Sequence, residues 1–394
     1  MEIFILINLL LGPALLSIFY FTGRGYAVKS YGRARSLSAP SPEVPEKSPR
    51  VAMIIPAAGK HGAMKTSLES LLRQDYPNFE VIFVTRDADD PASAVIRELV
   101  ARKKNARHIL SGPATQCGQK NHNHLAGIAA ADPATEILVF CDSTHEATPL
   151  FLSHLVRPIS EGSAVMTSGF HRIIPGDAGL TTLRMLLTVL CIHMLQGIKL
   201  FTQPWGGAMA IDRKVFEACG IARNWARVAV DDITMGSLLR KKGIRCKAVP
   251  EACLSTHLME KTSGDWRRWM MRQLLGMKYY DTWCWIALPF GLYCLTVPIL
   301  YAGLAIIGGL FGFFHWSMCL AGAAFFILYT GIGLAYRRPV PEPIPRAPWL
   351  QAFYSLLFMI TWCYLKTCLT DTLTWKGISY RIAWDGTVKS IHYE

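Results

Sequence analysis

The chain has 394 residues, 51% of them hydrophobic, a formal net charge of +13 and a mean hydropathy of +0.25. That is too apolar for an ordinary soluble enzyme, and the apolar residues are unevenly spread, so a purely soluble class is excluded. The positive charge does not call for nucleic acid: no basic and aromatic recognition motif accompanies it, and a surface of anionic lipid accounts for it.

Residues 3 to 21, IFILINLLLGPALLSIFYF, carry no charge. The stretch is about as long as a helix needs to cross a hydrocarbon core of roughly 30 Å. No basic segment precedes it and no small-x-small cleavage site follows, so residues 1 to 22 are expected to be a retained transmembrane anchor. Arg24, Lys29, Arg33 and Arg35 come next. Basic flanks stay on the cytoplasmic side, which puts the following domain in the cytosol, at the inner membrane if the cell is bacterial. SLSAPSPEVPEKSPR, rich in Pro and Ser, has little to bury and makes residues 23 to 50 a linker.

Residues 51 to 260 alternate short β-rich runs with helical ones: VAMIIPA, TSLESLLRQ, FEVIFVT, ASAVIRELVARK, RHILS, a helix from about Asn121, and ILVFCD. That alternation implies an α/β domain with a mostly parallel sheet between helices. Ligands of such sheets sit outside the carboxyl ends of the strands, so the polar residues there are the site candidates. They are Pro56 and Ala57 with the residues up to Lys60, then Asp87, Asp89 and Asp90, then Asp142, Ser143 and Thr144. A single Asp after a strand can be no more than a helix cap or a turn former. Asp142, however, follows the apolar run ILVFC, so its carboxylate emerges at the edge of a buried strand. A hard divalent cation can use it there against a diphosphate.

Further along, WGGAMAIDRKVFEACGI supplies a Gly-lined floor and a helix, and AVDDITMGSLLRKKG opens a second helix with Asp231 and Asp232. Paired carboxylates at a helix start either cap it or provide a general base. The segment TTLRMLLTVLCIHMLQGIKLF is apolar but punctuated by Arg184, His193 and Lys199. It reads either as an interfacial helix or as one packed in the soluble core. Residues 261 to 284 are expected to form an interfacial helix with an Arg/Trp motif, and the aromatic run of Trp269, Tyr279, Tyr280, Trp283 and Trp285 is expected to join the TTLRMLLTVLCIHMLQGIKLF segment in a lipid-facing collar.

A C-terminal transmembrane region follows over 285 to 370, with apolar stretches at 285 to 311, 313 to 336 and 350 to 369. The first two form a hairpin about Gly308, Gly309 and Gly312, and Arg337, Arg338 and Arg346 hold the next loop on the cytosolic side. The last stretch either spans, leaving the tail at 371 to 394 outside, or is re-entrant or interfacial, leaving the tail with the catalytic domain. The 11 cysteines show no CxxC pair and no zinc spacing, and read as reduced small hydrophobes.

DYPNFEVIFVTRDADDPA, CGQKNHNHLAG, FCDS and VDD, in that order across residues 50 to 275, resemble the family 2 glycosyltransferases of GT-A fold, and most of all the ceramide glucosyltransferase type. The resemblance implies a nucleoside-side aspartate at Asp90 with Asp87 beside it, a metal-binding aspartate at Asp142 and a base at Asp232. Pro56, Ala57, Lys120 and Asp231 complete the implied nucleotide-sugar site. The family's QxxRW motif is not present as written. GDWRRWMMRQLLG offers Arg268 with Trp269, or Trp269 with Arg272 and Gln273, and both alignments are open. The usual DxD is here Asp142-Ser143-Thr144, which leaves one carboxylate, and His257 is the candidate second metal ligand. TWKGISYR resembles the Trp-x-Gly-x-x-Tyr ending of many membrane transferases, with no role implied.

The activity so implied is transfer of a sugar, glucose by resemblance, from a UDP-sugar to a lipid hydroxyl, ceramide-like or other, with inversion. A divalent cation, Mg2+ or Mn2+, is implied with it. The partners are then the donor, the lipid and the bilayer. A processive polysaccharide synthase shares such a domain and is the alternative, although three or four spans are few for a polymer channel.

Overall fold

A computed structural model describes residues 1–35, 48–259 and 261–393. The chain opens with α1 (Glu2–Arg35), whose 34 residues include the uncharged stretch and run on through the basic residues that follow it. The first part of the expected linker is therefore helical, and most of the remainder, 36–47, lies outside the described residues.

The α/β part comprises β1 (Val51–Pro56), α2 (Met64–Leu72), β2 (Phe79–Thr85), α3 (Pro91–Val100), β3 (Ala106–Leu110), α4 (Gln119–Ala130), β4 (Ile137–Cys141) and α5 (Phe151–Ser160). It continues with β5 (Met166–Pro175), α6 (Leu180–Gln196), β6 (Ala208–Asp212), α7 (Arg213–Ala218), α8 (Ile221–Trp225), α9 (Asp232–Lys241) and β7 (Lys247–Leu258). The seven strands form one sheet in the order β3-β2-β1-β4-β6-β5-β7. β1 pairs in parallel with β2 and β4, and β2 with β3, whereas β6 runs against both β4 and β5. Every residue of β1 and β4 is buried, because helices cover both faces of a parallel sheet. Leu68, Ile96 and Leu152 pack on one face, and Phe216, Trp225 and Met235 on the other.

The antiparallel β6 is the feature that shapes the site. Cys141 at the end of β4 pairs with Ala208 at the start of β6, so the segment entering β6 lies beside the carboxyl ends of the parallel strands.

After the sheet come α10 (Ser263–Tyr280), α11 (Thr282–Leu310), α12 (Ser317–Ala335) and α13 (Arg346–Cys368). Among the described residues three helices are long and apolar enough to cross a membrane: Glu2–Gly32 within α1, then α11 and α12. They pack together, with Glu2 Oε1 accepting from His315 N at 2.7 Å and Tyr293 Oη donating to Asn8 Oδ1 at 2.7 Å. Leu10, Phe21, Phe290, Leu300, Ile307 and Ile327 are exposed on their outer faces, the signature of a surface built for lipid.

The apolar helix α6 is a core element: most of its 17 residues are buried, and Arg184 Nε donates to Ser355 Oγ of α13 at 2.9 Å. The expected aromatic collar is not continuous. Trp283 is exposed, but Tyr280 Oη accepts from Ala229 N at 3.1 Å and Trp285 Nε1 donates to Thr367 Oγ1 at 3.2 Å, so these two rings are tied inward.

The tail forms a second, antiparallel sheet of β8 (Thr372–Trp375), β9 (Ile378–Ile382) and β10 (Val388–Tyr393), ordered β10-β9-β8. It docks on the α/β domain. Tyr380 Oη accepts from Gln119 N at 3.0 Å, Tyr393 Oη donates to Ala114 O at 2.8 Å and Val388 N donates to Arg227 O at 2.9 Å.

Candidate active site

The site begins where β4 runs out. Asp142 follows its last buried residue, and Asp142 N donates to Gly207 O, at 3.4 Å, of the segment leading into β6. Helix α4 enters from below with Lys120 in its first turn. It comes close because Gly118 precedes it: a Cβ there would lie 2.3 Å from Ala229 O. The chain from Ala229 then opens α9 with Asp231 and Asp232.

These pieces meet on one ammonium group. Lys120 Nζ lies 2.8 Å from Asp142 Oδ1, 2.9 Å from Asp231 Oδ2 and 3.2 Å from Gly206 O, which uses all three of its donors. Gly206 has to be glycine for this, since a Cβ would stand 2.7 Å from both Lys120 Nζ and Asp231 Oδ2. His124 Nε2 adds a 3.2 Å contact to the same Asp231 oxygen. Asp231 makes no side-chain cap bond, so capping does not account for it. Asp232 accepts instead from Gly206 N at 2.9 Å and Ile233 N at 2.7 Å.

The two adjacent carboxylates are driven apart in acidity. Burial would raise Asp231, but Lys120 and His124 hold it well below the usual carboxylate range. Asp142 is held well below it too, burial being outweighed by Lys120 and His145. Asp232 goes the other way: burial and then the charge of Asp231 raise it to about 6. Lys120 stays charged, since the three aspartates outweigh the burial that would lower it. Separated titration of neighbouring carboxylates is how acid and base roles are set in one site.

Above this floor lies a cavity of about 400 Å³. Pro56 and Ala58 line one side, Trp269, Arg272 and Gln273 of α10 another, and Trp375, Lys376 and Tyr380 of the tail a third. Phe170, Val189, Ile192 and Trp205 make an apolar wall on the side of α6. Trp205 stacks on His171, with centroids 4.6 Å apart and planes within 2°. Thr256 Oγ1 holds the Nδ1 atoms of both His145 and His171 at 2.7 Å.

The cavity therefore gathers Pro56, Lys120, Asp142, Ser143, Thr144, Asp231, Asp232, Trp269, Arg272 and Gln273 of the residues singled out in the sequence. Five others do not line it. Ala57 is buried, its N–H donating to Val84 O at 2.8 Å. Asp90 caps α3 through Ala92 N at 2.8 Å and ties down the loop after β1 by accepting from Gly59 N at 2.9 Å. Asp87 accepts from Asp90 N at 2.8 Å and pairs with Arg86 at 2.6 Å. Arg268 pairs with exposed Asp265 of its own helix at 2.6 Å, so the motif facing the cavity is Trp269 with Arg272 and Gln273. His257 sits on β7, the edge strand, where its Nε2 meets Glu146 Oε2 at 3.2 Å outside the cavity. The imidazole beside Asp142 is that of His145, with Nε2 at 3.7 Å from Oδ2. His145 went unnoticed in the sequence, where its one signal was its position three residues past Asp142.

Glycosyl transferase family 21 matches residues 10–388. A mannosyltransferase, PcManGT from Pyrobaculum calidifontis, solved with GDP-Man and Mn2+, is 16% identical with a TM-score of 0.53 over 90% of this chain and 98% of its own. A 4-diphosphocytidyl-2C-methyl-D-erythritol synthase from Anaerococcus prevotii DSM 20548 is 15% identical with a TM-score of 0.35, over 55% of this chain and 93% of its own.

Proposed function

The chain belongs to glycosyl transferase family 21 and is a glycosyltransferase, and from that premise we propose that it moves glucose from UDP-glucose to the hydroxyl of a membrane lipid, ceramide-like or related, with inversion. The observation that carries the reading is the meeting of Asp142, Asp231, Asp232, Lys120 and Arg272 in one cavity that Phe170, Val189, Ile192 and Trp205 also line. An anionic diphosphate and an alcohol on a hydrocarbon stem need those two surfaces side by side.

Asp232 is the base. With its acidity tuned to about 6 it is ionised at neutral pH yet basic enough to take the proton of the acceptor hydroxyl as the oxygen attacks the anomeric carbon. The two backbone N–H groups on its oxygens fix its direction. Arg272, which has no ion pair among the described residues, faces the negative charge that grows on the departing nucleoside diphosphate. A single displacement of this kind turns an α-linked donor into a β-linked product.

No group of three or more His, Cys, Asp or Glu side chains suited to a metal occurs among the described residues. The donor set nonetheless fits a hard divalent ion, Mg2+ or Mn2+. Such ions are commonly held by one or two carboxylates plus substrate phosphates, and Asp142 presents Oδ2 while Lys120 takes Oδ1. When bound there, the ion neutralises charge on the leaving diphosphate as a Lewis acid.

The apolar wall of Phe170, Val189 and Ile192 leads to α6, which packs against α1, and so gives a lipid acceptor a route from the membrane side. Three helices of spanning length favour a single transfer over a polymer channel. Purified protein incubated with several UDP-sugars and a total lipid extract should yield one glycolipid carrying a single β-linked hexose. A long glycan or a retained α linkage would overturn the reading.

A further inference from the structure

The Trp-x-Gly-x-x-Tyr segment near the C-terminus has no part in the chemistry above, yet three of its residues line the cavity. Strands β8 and β9 are joined by a turn of just two residues, Lys376 and Gly377, with φ of 53° and 73°. A hairpin turn with both central residues in the left-handed region favours Asn-Gly or Gly-Gly, which adopt it readily. Lys376 is the one non-glycine residue with positive φ among the described residues. A lysine at such a point is a poor choice for the turn itself, and strained backbone of this kind gathers where a side chain is needed.

The side chain reaches inward. Lys376 Nζ lies 4.0 Å from the point where a Cβ on Gly59 would sit, over the loop that follows β1. No carboxylate or carbonyl among the described residues pairs with it, and Arg272, which lines the same cavity, is equally unpaired. The charges acting on Lys376 are the attraction of Asp90 and the repulsion of Arg272 and Lys261. Unpaired cations gathered about one cavity repel each other until a multiply charged anion enters. The strands carrying Lys376 are also fixed in place, since Tyr380 of β9 bonds to the first residue of α4, the helix that bears Lys120.

We propose that Lys376 is a donor-site residue, its ammonium laid by the C-terminal hairpin against the diphosphate of the nucleotide sugar and opposed by Arg272. This rests on the donor reading above and extends the donor site to the far end of the chain. The tail thereby serves as one wall of the nucleotide pocket as well as a packing element.

Full-length protein in detergent, wild type and Lys376→Asn, should be titrated with UDP, UMP and uridine, with melting temperatures recorded alongside. Asn suits the left-handed turn, so the variant should melt no lower than wild type, while UDP binding weakens at least about tenfold. UMP should lose less, uridine should lose nothing, and Lys376→Arg should retain UDP affinity. Unchanged UDP binding in the Asn variant, equal loss for uridine and UDP, or a marked fall in melting temperature for both Lys376→Asn and Lys376→Gly would each overturn the assignment. Wild-type protein that does not bind UDP would instead overturn the donor reading itself.

Discussion

Lys120 bonds to Asp231 and not to Asp232, and that difference leaves one carboxylate a fixed anion and raises the pKa of its neighbour, as the proposed base requires. Asp142 and Asp231 are held well below the usual range, so both remain charged between pH 5 and 8, by direction of shift, and the titration in that window belongs to Asp232. In the proposed mechanism the active form is the deprotonated one. The kcat/KM of transfer should therefore fall as pH drops through about 6, as a single ionisation, and a flat profile from about pH 5 to 8 would remove Asp232 from the role. Asp232→Asn should slow transfer by roughly a hundred- to ten-thousandfold while nucleotide binding persists. Gly206→Ala is the companion test of geometry. Its methyl would enter the Lys120–Asp231 contact at 2.7 Å, and displacement of that ion pair should lower kcat on the order of a hundredfold. The paired aspartates were legible in the sequence as residues, but their opposite acidity was not, because it depends on a lysine 111 positions upstream of one of them.

At the scale of elements, α10 shows what a helix face decides. Arg268 and Arg272 are both plausible in the sequence, since the altered Arg/Trp motif can be aligned either way. Trp269, Arg272 and Gln273, three and four apart, line the cavity together, whereas Arg268, four residues before Arg272, is drawn back along the helix to Asp265. Arg272→Ala should accordingly cost about a hundredfold in kcat/KM, and Arg268→Ala should leave the rate near wild type. Comparable losses in both would mean that the helix presents a different face to substrate. The same limit explains the histidines. His257 and His145 have equal claims as residue types, but the bridge between Glu146 and Ser255 brings Glu146 to His257, while the turn after β4 brings His145 back towards Asp142.

For the whole molecule, the ends of the apolar helices and the tail are ordered relative to the α/β domain. Glu2 bonds to the loop between α11 and α12, while the opposite ends of these helices meet the α/β domain, with Lys29 of α1 on Glu251 at 2.7 Å. Because the tail packs on that domain, α13 starts and finishes on the domain's side. Trp362 and Leu365 are exposed on α13 and Lys366 lies 5.0 Å over the Trp362 ring, as befits a helix lying at an interface. Epitope tags at the two termini, probed with protease in sealed inside-out vesicles, should show the C-terminal tag cut and the N-terminal tag protected. Cleavage or protection of both would overturn a three-span arrangement.

The sequence by itself determined the anchor, the apolar hairpin, the mostly parallel sheet and the order of the acidic strand ends, because each is written in local periodicity and run length. Tertiary structure alone decided the meeting of Lys120 with Asp142 and Asp231, the choice of Arg272, and the joining of the C-terminal hairpin to the cavity. Those features pair residues brought together only when β6 reverses beside β4 and the tail folds back on α4, and no local pattern carries the register of such distant segments.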